Sequence, residues 1–264
     1  MIIDFHTHIF PDHIAQNAIP HLEKEGGVKA YLDGTKTALL DSMNKNGVVK
    51  SVVCSIATKP AQFQAILDWS QTLKSERLIP FASIHPDDPN CLAQIRQIKE
   101  MGYKGIKMHP YYQDFFINEQ RLLPIFKLVT DLQLILLMHT GYDIAFPRIR
   151  RADPAQILEV HTLFPNLKLV TSHLGAWDQW PEVRTTLVGK PIYMDISFSL
   201  QMMDRQTARD LICNHPPEFI LFGSDSPWED QGKAVTMLEE LELKADLLDK
   251  IKGTNAEQLL LKPS

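Results

Sequence analysis

The sequence predicts an α/β chain folded as a (β/α)8 TIM barrel, a single domain over residues 1–264. Three observations carry that prediction. Eight short β-type runs alternate with longer helix-type stretches from one end of the chain to the other. The length of 264 residues suits a barrel of roughly 250. A doubly wound sheet usually has about five or six strands and a Gly-rich phosphate loop, and no such loop is present.

The elements follow in order. IIDFHTH from Ile2 is the first strand. The segment from Pro11 to Asn46 is too long for one crossover helix and is expected to hold an extra helix or lid near the mouth. VVKSVVCSI from Val48 is the second strand; KPAQFQAILDWSQTLKSE then sets Phe63, Ile66, Leu67 and Ser70 on one helical side. RLIPFASIH from Arg77 is the third. In CLAQIRQIKEMG, Leu92, Ile95 and Ile98 repeat at helical spacing, and Gly102 marks the stop. YKGIKMH from Tyr103 and LQLILLMHT from Leu132 are the fourth and fifth strands, with RLLPIFKLVTDL between them. DPAQILEVHTLF leads into the sixth, LKLVTSH from Leu167. PIYMDISF from Pro191 and EFILFGSD from Glu218 complete the set. QGKAVTMLEELEL follows, and TNAEQLLL opens on polar residues able to cap a closing helix.

Composition narrows the function. A net charge of −5 gives no reason to expect nucleic acid or an anionic membrane as a partner. Three cysteines, Cys54, Cys91 and Cys213, lie far apart without a CxxC pair, which fits a reducing cytoplasm. Asp4 and His6 stand where a signal peptide would need a basic start, and no apolar stretch approaches a membrane span. The expectation is a cytoplasmic protein with a small-molecule substrate, open to homodimerisation.

Side chains two apart on a strand point to one face, so Asp4, His6 and His8 should share a face at the C-terminal end of the first strand. In barrels that end is where chemistry is built. His139 ends the fifth strand in phase with Ile135 and Leu137, and His173 ends the sixth in phase with Leu167, Leu169 and Thr171. Asp225 ends the eighth in phase with Leu221 and Gly223, and Lys107 shares a face with His109 on the fourth. Imidazoles and a carboxylate from distant strands, gathered at one mouth, make a ligand set for zinc or a similar divalent ion. His85 and His109 each end a strand before Pro; lining the pocket and structural punctuation account for them equally. His13, His21, His161 and His215 receive no role.

Taken together, FHTH, MHTG, SHLG, GSDSPW and the terminal GTNAEQLL resemble the amidohydrolase superfamily of metal-dependent barrels. Its compact branch of aminocarboxymuconate-semialdehyde decarboxylase-like proteins is most similar. The resemblance implies that His6, His8, His139 and Asp225 bind a primary metal. It casts His173 as a catalytic acid/base or electrophile, or as a ligand of a second ion. Lys107 matches the lysine that two-metal members carry carboxylated between the ions; a lysine salt-bridged inside the mouth is the other reading. The cofactor expected is one or two divalent ions, zinc first and manganese as the alternative. The expectation is that the β-sandwich domain of larger members is not represented, and the 264 residues are shorter than typical decarboxylases of the branch.

Such a site activates water, because a divalent ion lowers the pKa of bound water from 15.7 towards ~7. Asp225 would accept that proton and His173 would polarise the substrate oxygen. The leading expectation is a hydrolase of a small amide, ester or lactone. The alternative is a non-oxidative decarboxylase of an aromatic or unsaturated acid, with Asp225 delivering a proton to carbon. Arg148, Arg150 and Arg151 follow the fifth strand, where one could hold a substrate carboxylate or all could be solvated surface. Tyr111, Tyr112, Trp177 and Trp228 could wall an apolar pocket or simply pack.

Overall fold

A computed structural model describes residues 1–261. Its strands are β1 (Ile2–Thr7), β2 (Val48–Cys54), β3 (Leu78–Phe81), β4 (Gly105–Met108), β5 (Ile135–Met138), β6 (Lys168–Thr171), β7 (Tyr193–Asp195) and β8 (Ile220–Leu221). All neighbouring strands pair in parallel, in the orders β1-β2-β3 and β4-β5-β6-β7-β8. A bridge between Ala82 and Ile106 joins the two sheets, and one between Thr7 and Ser226 brings the end of the chain's last strand region back to β1. Phe5 N donates to Phe222 O at 2.8 Å and His8 N to Ser226 O at 2.6 Å, closing the barrel. The eight-stranded expectation holds, although each strand is shorter than its β-type run.

The helices are α1 (Asp12–Gly26), α2 (Lys36–Asn46), α3 (Phe63–Leu73), α4 (Cys91–Glu100), α5 (Leu123–Asp131), α6 (Pro154–Leu163), α7 (Trp180–Thr186), α8 (Arg205–Asn214), α9 (Gln231–Glu239), α10 (Ala245–Asp249) and α11 (Asn255–Leu261). The long first connection holds two helices. The chain stops helix α2 at Gly47, whose φ of 68° is the left-handed conformation that glycine adopts freely. Asp153 caps α6, accepting from Gln156 N, while the Gln156 side chain accepts from Asp153 N. In α3, Phe63, Leu67 and Ser70 are buried as their spacing predicts. In α4 the buried face is Gln94, Ile95 and Ile98, and Leu92 lies exposed instead of joining it.

Two apolar layers result. Ile3, Phe5, Val52, Phe81, Leu137 and Val170 fill the barrel interior, and α11 closes its N-terminal end with Ala256, Leu259 and Leu260. A larger layer lies between the strands and the surrounding helices, with Ile106, Leu136, Leu169 and Phe222 on the strand side. The polar start of the closing helix works differently from the expectation. A π turn over Lys250–Thr254 runs directly into α11, and Asn255 Nδ2 donates to Pro217 O and Ile220 O, both at 2.8 Å, instead of capping a helix. That anchors α11 to the start of β8.

Candidate metal centre

The mouth gathers all six predicted side chains. His6 lies in β1 and Lys107 in β4; His8, His139, His173 and Asp225 lie just past β1, β5, β6 and β8. Alternation along the strand accounts for Lys107, His139 and Asp225, since Ile135, Leu137 and Leu221 do face the barrel interior. It fails on β1 and β6. Ile3 and Phe5 occupy the interior, so Asp4 does not share a face with His6. Asp4 accepts instead from Ser224 N (2.9 Å), Ser224 Oγ (2.6 Å) and Gln231 Nε2 (2.8 Å). Burial pushes this carboxyl up to about 6 against those hydrogen bonds. The register then slips: residues 4 to 7 of β1 pair with 51 to 53 of β2. The extra residue is a bulge, and it brings His6 into the mouth.

On β6, Leu169 faces the helices and Val170 the interior, so His173 in phase with Leu169 would point outward. His173 and Leu174 take φ of 58° and 53°, which redirects the chain and delivers the ring to the mouth. Asp225 is left-handed too, at 65°. Non-glycine residues in this region are uncommon, and such strain concentrates at working sites.

Hydrogen bonds set the tautomer of each ring. His6 Nδ1 donates to Asp195 Oδ2 (3.0 Å), His8 Nδ1 to Cys54 O (2.9 Å), His173 Nδ1 to Ser197 O (2.9 Å) and His139 Nε2 to Tyr142 O (3.1 Å). Carbonyls and carboxylates only accept, so these nitrogens carry the hydrogens and the opposite ones carry lone pairs. Those lone pairs meet other acceptors. His8 Nε2 and His6 Nε2 stand 3.1 and 3.5 Å from Asp225 Oδ1, and His173 Nε2 stands 3.1 Å from His139 Nδ1. Lys107 Nζ meets the His6 lone pair, whereas His8 Nε2 against Asp225 Oδ1 and His173 Nε2 against His139 Nδ1 leave acceptor facing acceptor, an arrangement suited to a cation. Burial, with Lys107 adding like charge, holds His6 well below the usual histidine range, and burial beside His109 does the same for His139. Protons on these two rings are therefore a poor substitute at neutral pH. His6, His8 and Asp225 bring three ligand atoms within 4.8 Å of one another, a nitrogen–oxygen set suited to a divalent ion.

Asp225 is buried, which would raise its pKa, but the neighbouring His6 and His8 outweigh that and leave it below the ordinary carboxylate value. Lys107 Nζ donates to His6 Nε2 at 3.0 Å. Among the described residues it makes no ion pair, so the salt-bridged lysine is not what the fold builds. Burial lowers its pKa, against the pull of Cys54 and of Asp195 and Asp225.

Asp195 and Asp143 are the site residues that sequence reasoning overlooked. Asp195 is fully buried in β7, holds His6 through Oδ2 and accepts from Ser197 Oγ and Ser197 N through Oδ1. Its signal was present: a lone carboxylate inside the apolar run PIYMDISF, in phase with the interior Tyr193. Asp143, in the loop after β5, lies 3.3 Å from His109 Nε2 and 3.7 Å from His139 Nε2. These three residues form a second histidine–histidine–aspartate group. Its imidazoles stack, however, with centroids 4.1 Å apart and planes at 15°. In-plane lone pairs of parallel rings point side by side and converge poorly on one point, so this group, which forms one wall of the mouth, suits a single ion less well than the first. Gly141 fixes the wall: with φ of 84°, a Cβ there would stand 2.0 Å from Trp177 N.

Above the site lies a cavity of about 610 Å³. His109, Tyr112, Trp177 and Trp228 line it, whereas His85 and Tyr111 do not. His13 and Ile14 of α1 reach its rim, so the first connection does supply a cover, and His13 is closer to the site than expected. None of the three arginines lines it. Arg148 pairs with Asp178 (2.6 Å), Arg150 with Asp153 (2.8 Å) and Glu182, and Arg151 with Asp114 (2.7 Å).

The sequence model of a family described as amidohydrolase matches residues 3–261. No curated protein matches the sequence. Among solved structures, an uncharacterised TIM-barrel protein from Bordetella bronchiseptica superposes with a TM-score of 0.80 at 21% identity, covering 98% of both chains. The 5-carboxyvanillate decarboxylase LigW from Sphingomonas paucimobilis gives 0.72 at 14% identity, again covering 98% of each. A dihydroxybenzoic acid decarboxylase from Polaromonas sp. JS666, solved with manganese and 2-nitroresorcinol, gives 0.71 at 14%, covering 98% of this chain and 96% of that one. Among the described residues, no helix is long and apolar enough to cross a membrane.

Proposed function

The chain belongs to the amidohydrolase family, and from that premise we propose that it is a metal-dependent, non-oxidative decarboxylase of an aromatic or unsaturated carboxylic acid. The observation that carries this reading is the mouth itself: a floor of His6, His8, Lys107 and Asp225 beneath a largely apolar cavity. Loss of carbon dioxide turns a charged carboxylate into a neutral product, so an apolar surround that strips water from the carboxylate favours the step. The likeness to barrels named as decarboxylases, one of them with manganese, supports the same choice over hydrolysis, which the sequence placed first.

His6, His8 and Asp225 would hold one divalent ion, zinc or manganese, with His139 and His173 beside it. When bound, the ion supplies Lewis-acid polarisation and an anchor for the substrate's oxygens. Lys107 balances the substrate's negative charge at the floor. His173 holds a substrate oxygen and keeps it turned towards the floor. Asp225 takes up a proton and delivers it to the carbon bearing the carboxylate. The carbon–carboxylate bond then breaks, carbon dioxide leaves, and the electron pair of that bond restores the carbon–carbon double bond whose π pair took up the proton. Asp195 keeps the His6 ring in the required tautomer.

Hydrolysis is the second reading, favoured by Lys107 beside His6 with its pKa depressed, because a neutral amine is what carboxylation requires. The two readings separate in one experiment. Protein reconstituted with zinc or manganese is offered aromatic acids, lactones and esters. Carbon dioxide release, lost in Asp225→Asn, is the expected result. Lactone or ester turnover without carbon dioxide overturns the proposal.

A further inference from the structure

We infer that the substrate carries one polar head and an extended apolar body, and that a second carboxylate is selected against. The inference rests on the reading of the floor as the place where a carboxylate head sits. Three features of the cavity lead to it.

The first is where the positive charge lies. Among the described residues, Lys107 is the only lysine lining the cavity, and no arginine lines it. Lys107 is at the floor, with Nζ bound to His6 Nε2. The three arginines of the loop after β5 are engaged outside, and Arg148 stacks on the outer side of a lining residue, 4.0 Å from the Tyr142 ring centroid. Among the described residues of α1 that line the cavity, His13, on the exposed side of the helix, is the basic one.

The second is the wall. Ile9, Phe10, Ile56 and Ile66 line one part of it, and Trp177, Phe198 and Trp228 another. Asp143 contributes a carboxylate from the loop after β5. A second anionic group above the floor would leave water for an apolar surface and approach that aspartate, with no cation to receive it. The third is size and rim. At about 610 Å³ the cavity falls within the ~300–1,000 Å³ typical of sites for drug-sized ligands, and a single ring at the floor leaves much of it unfilled. At the entrance, Ile14 of α1 is 43% exposed and Ile144 is 40% exposed, and both border the cavity. The end of α1 rests on Ile144: a Cβ at Gly26 would stand 3.2 Å from Ile144 Cδ1. The entrance therefore offers apolar surface to whatever passes through it.

The test reads binding, not turnover. Trp69, Trp177 and Trp228 line the cavity, so their fluorescence reports its occupancy. Metal-reconstituted protein is titrated with benzoate, 4-butylbenzoate, 4-octylbenzoate and terephthalate. Affinity should rise about three- to fourfold per buried methylene until the tail reaches the rim, and terephthalate should bind at least tenfold more weakly than 4-butylbenzoate. In Ile144→Lys, a change at an exposed loop position, the gain along the alkyl series should shrink and acids with a second carboxylate at the rim should recover. Flat affinity along the series, or terephthalate binding as tightly as 4-butylbenzoate, overturns the inference. Its failure is separable from that of the decarboxylase reading. Carbon dioxide release from small acids with a flat series removes only the substrate class, whereas a steep series without carbon dioxide removes only the reaction.

Discussion

Two groups of identical composition face each other across the mouth, and the chain holds their rings differently. His6, His8 and Asp225 come from the β8–β1 side; His109, His139 and Asp143 come from the β4–β5 side. In the first, each ring gives its Nδ1 hydrogen to a fixed acceptor, Asp195 or Cys54 O; the His8 Nε2 lone pair then faces Asp225 at 3.1 Å, and that of His6 lies 3.0 Å from Lys107 Nζ and 3.5 Å from Asp225. In the second, the rings lie parallel, His109 Nδ1 is buried without a hydrogen-bond partner among the described residues, and His139 Nε2 is engaged by Tyr142 O. Residue type is the same on both sides. What differs is where the lone pairs point, which is decided by partners outside either triplet. An outer acceptor that engages one nitrogen of each ring frees the opposite nitrogen for a metal, and the β8–β1 group has such an acceptor on both of its rings.

The most direct way to break this comparison is to delete the carboxylate on each side. Asp225→Ala should lose its divalent ion almost entirely, by more than the ~100-fold that removing an outer partner costs. Asp143→Ala should keep occupancy close to that of the unaltered chain. Elemental analysis of both purified variants after dialysis against buffered zinc or manganese reads the outcome. Equal losses on the two sides would show that the stacked pair also ligates, and the distinction drawn here would fall.

A smaller effect sharpens the same point one layer out. Asp195→Asn preserves shape but replaces the carboxylate that holds His6 Nδ1. Metal affinity should fall ~10- to 100-fold with the fold intact, since outer partners of ligating histidines are worth that much. Asp143→Asn, the matching change beside His109 and His139, should alter metal affinity by less than about threefold. A competition titration with a chromophoric chelator measures both. If Asp195→Asn binds metal as the unaltered chain does, the tautomer of His6 is not set by this contact.

How much of this could be read in the sequence depends on whether periodicity or local backbone carried the information. The eight strands, the extra helix of the first connection and the apolar side of α3 follow from spacing, because alternation and helical repeat are enforced by burial along the whole element. His139 and Lys107 were placed for the right reason. His6 and His173 were placed at the mouth for a wrong one. On β1 a bulge between Asp4 and Thr7 resets the phase, and on β6 a left-handed residue at His173 redirects the chain. Neither event leaves a periodic trace, since each involves one or two residues. Asp4 was grouped with His6 for the same reason and instead anchors Ser224 and Gln231, behind the loop that carries Asp225. Asp195 was legible as a lone charge in an apolar strand, but its partner 189 positions away was not. The arginines looked available because their acidic partners, Asp178, Glu182 and Asp114, lie in other loops and helices.

The smallest expected effect belongs again to the β8–β1 side, in the loop between Asp225 and α9. Glu229 is 2% exposed, and its Oε1 has no hydrogen-bond partner among the described residues. Burial pushes its pKa up from 4.5 to about 8, with Lys233 opposing and the charge of Asp225 adding to the rise. A folded-state value above the unfolded one means that the folded protein holds this proton more tightly. The associated stability is fully present below about pH 4.5 and is lost as pH rises through about 8. Glu229→Gln keeps an acceptor for the Phe198 amide and removes the titration. Between pH 5 and pH 9 the unaltered chain should lose ~1 to 3 kcal/mol more stability than the variant, read as a steeper fall in Tm. Parallel Tm profiles for the two proteins would mean that Glu229 ionises without cost, and the loop bearing Asp225 would then be no more sensitive to pH than the stacked wall opposite.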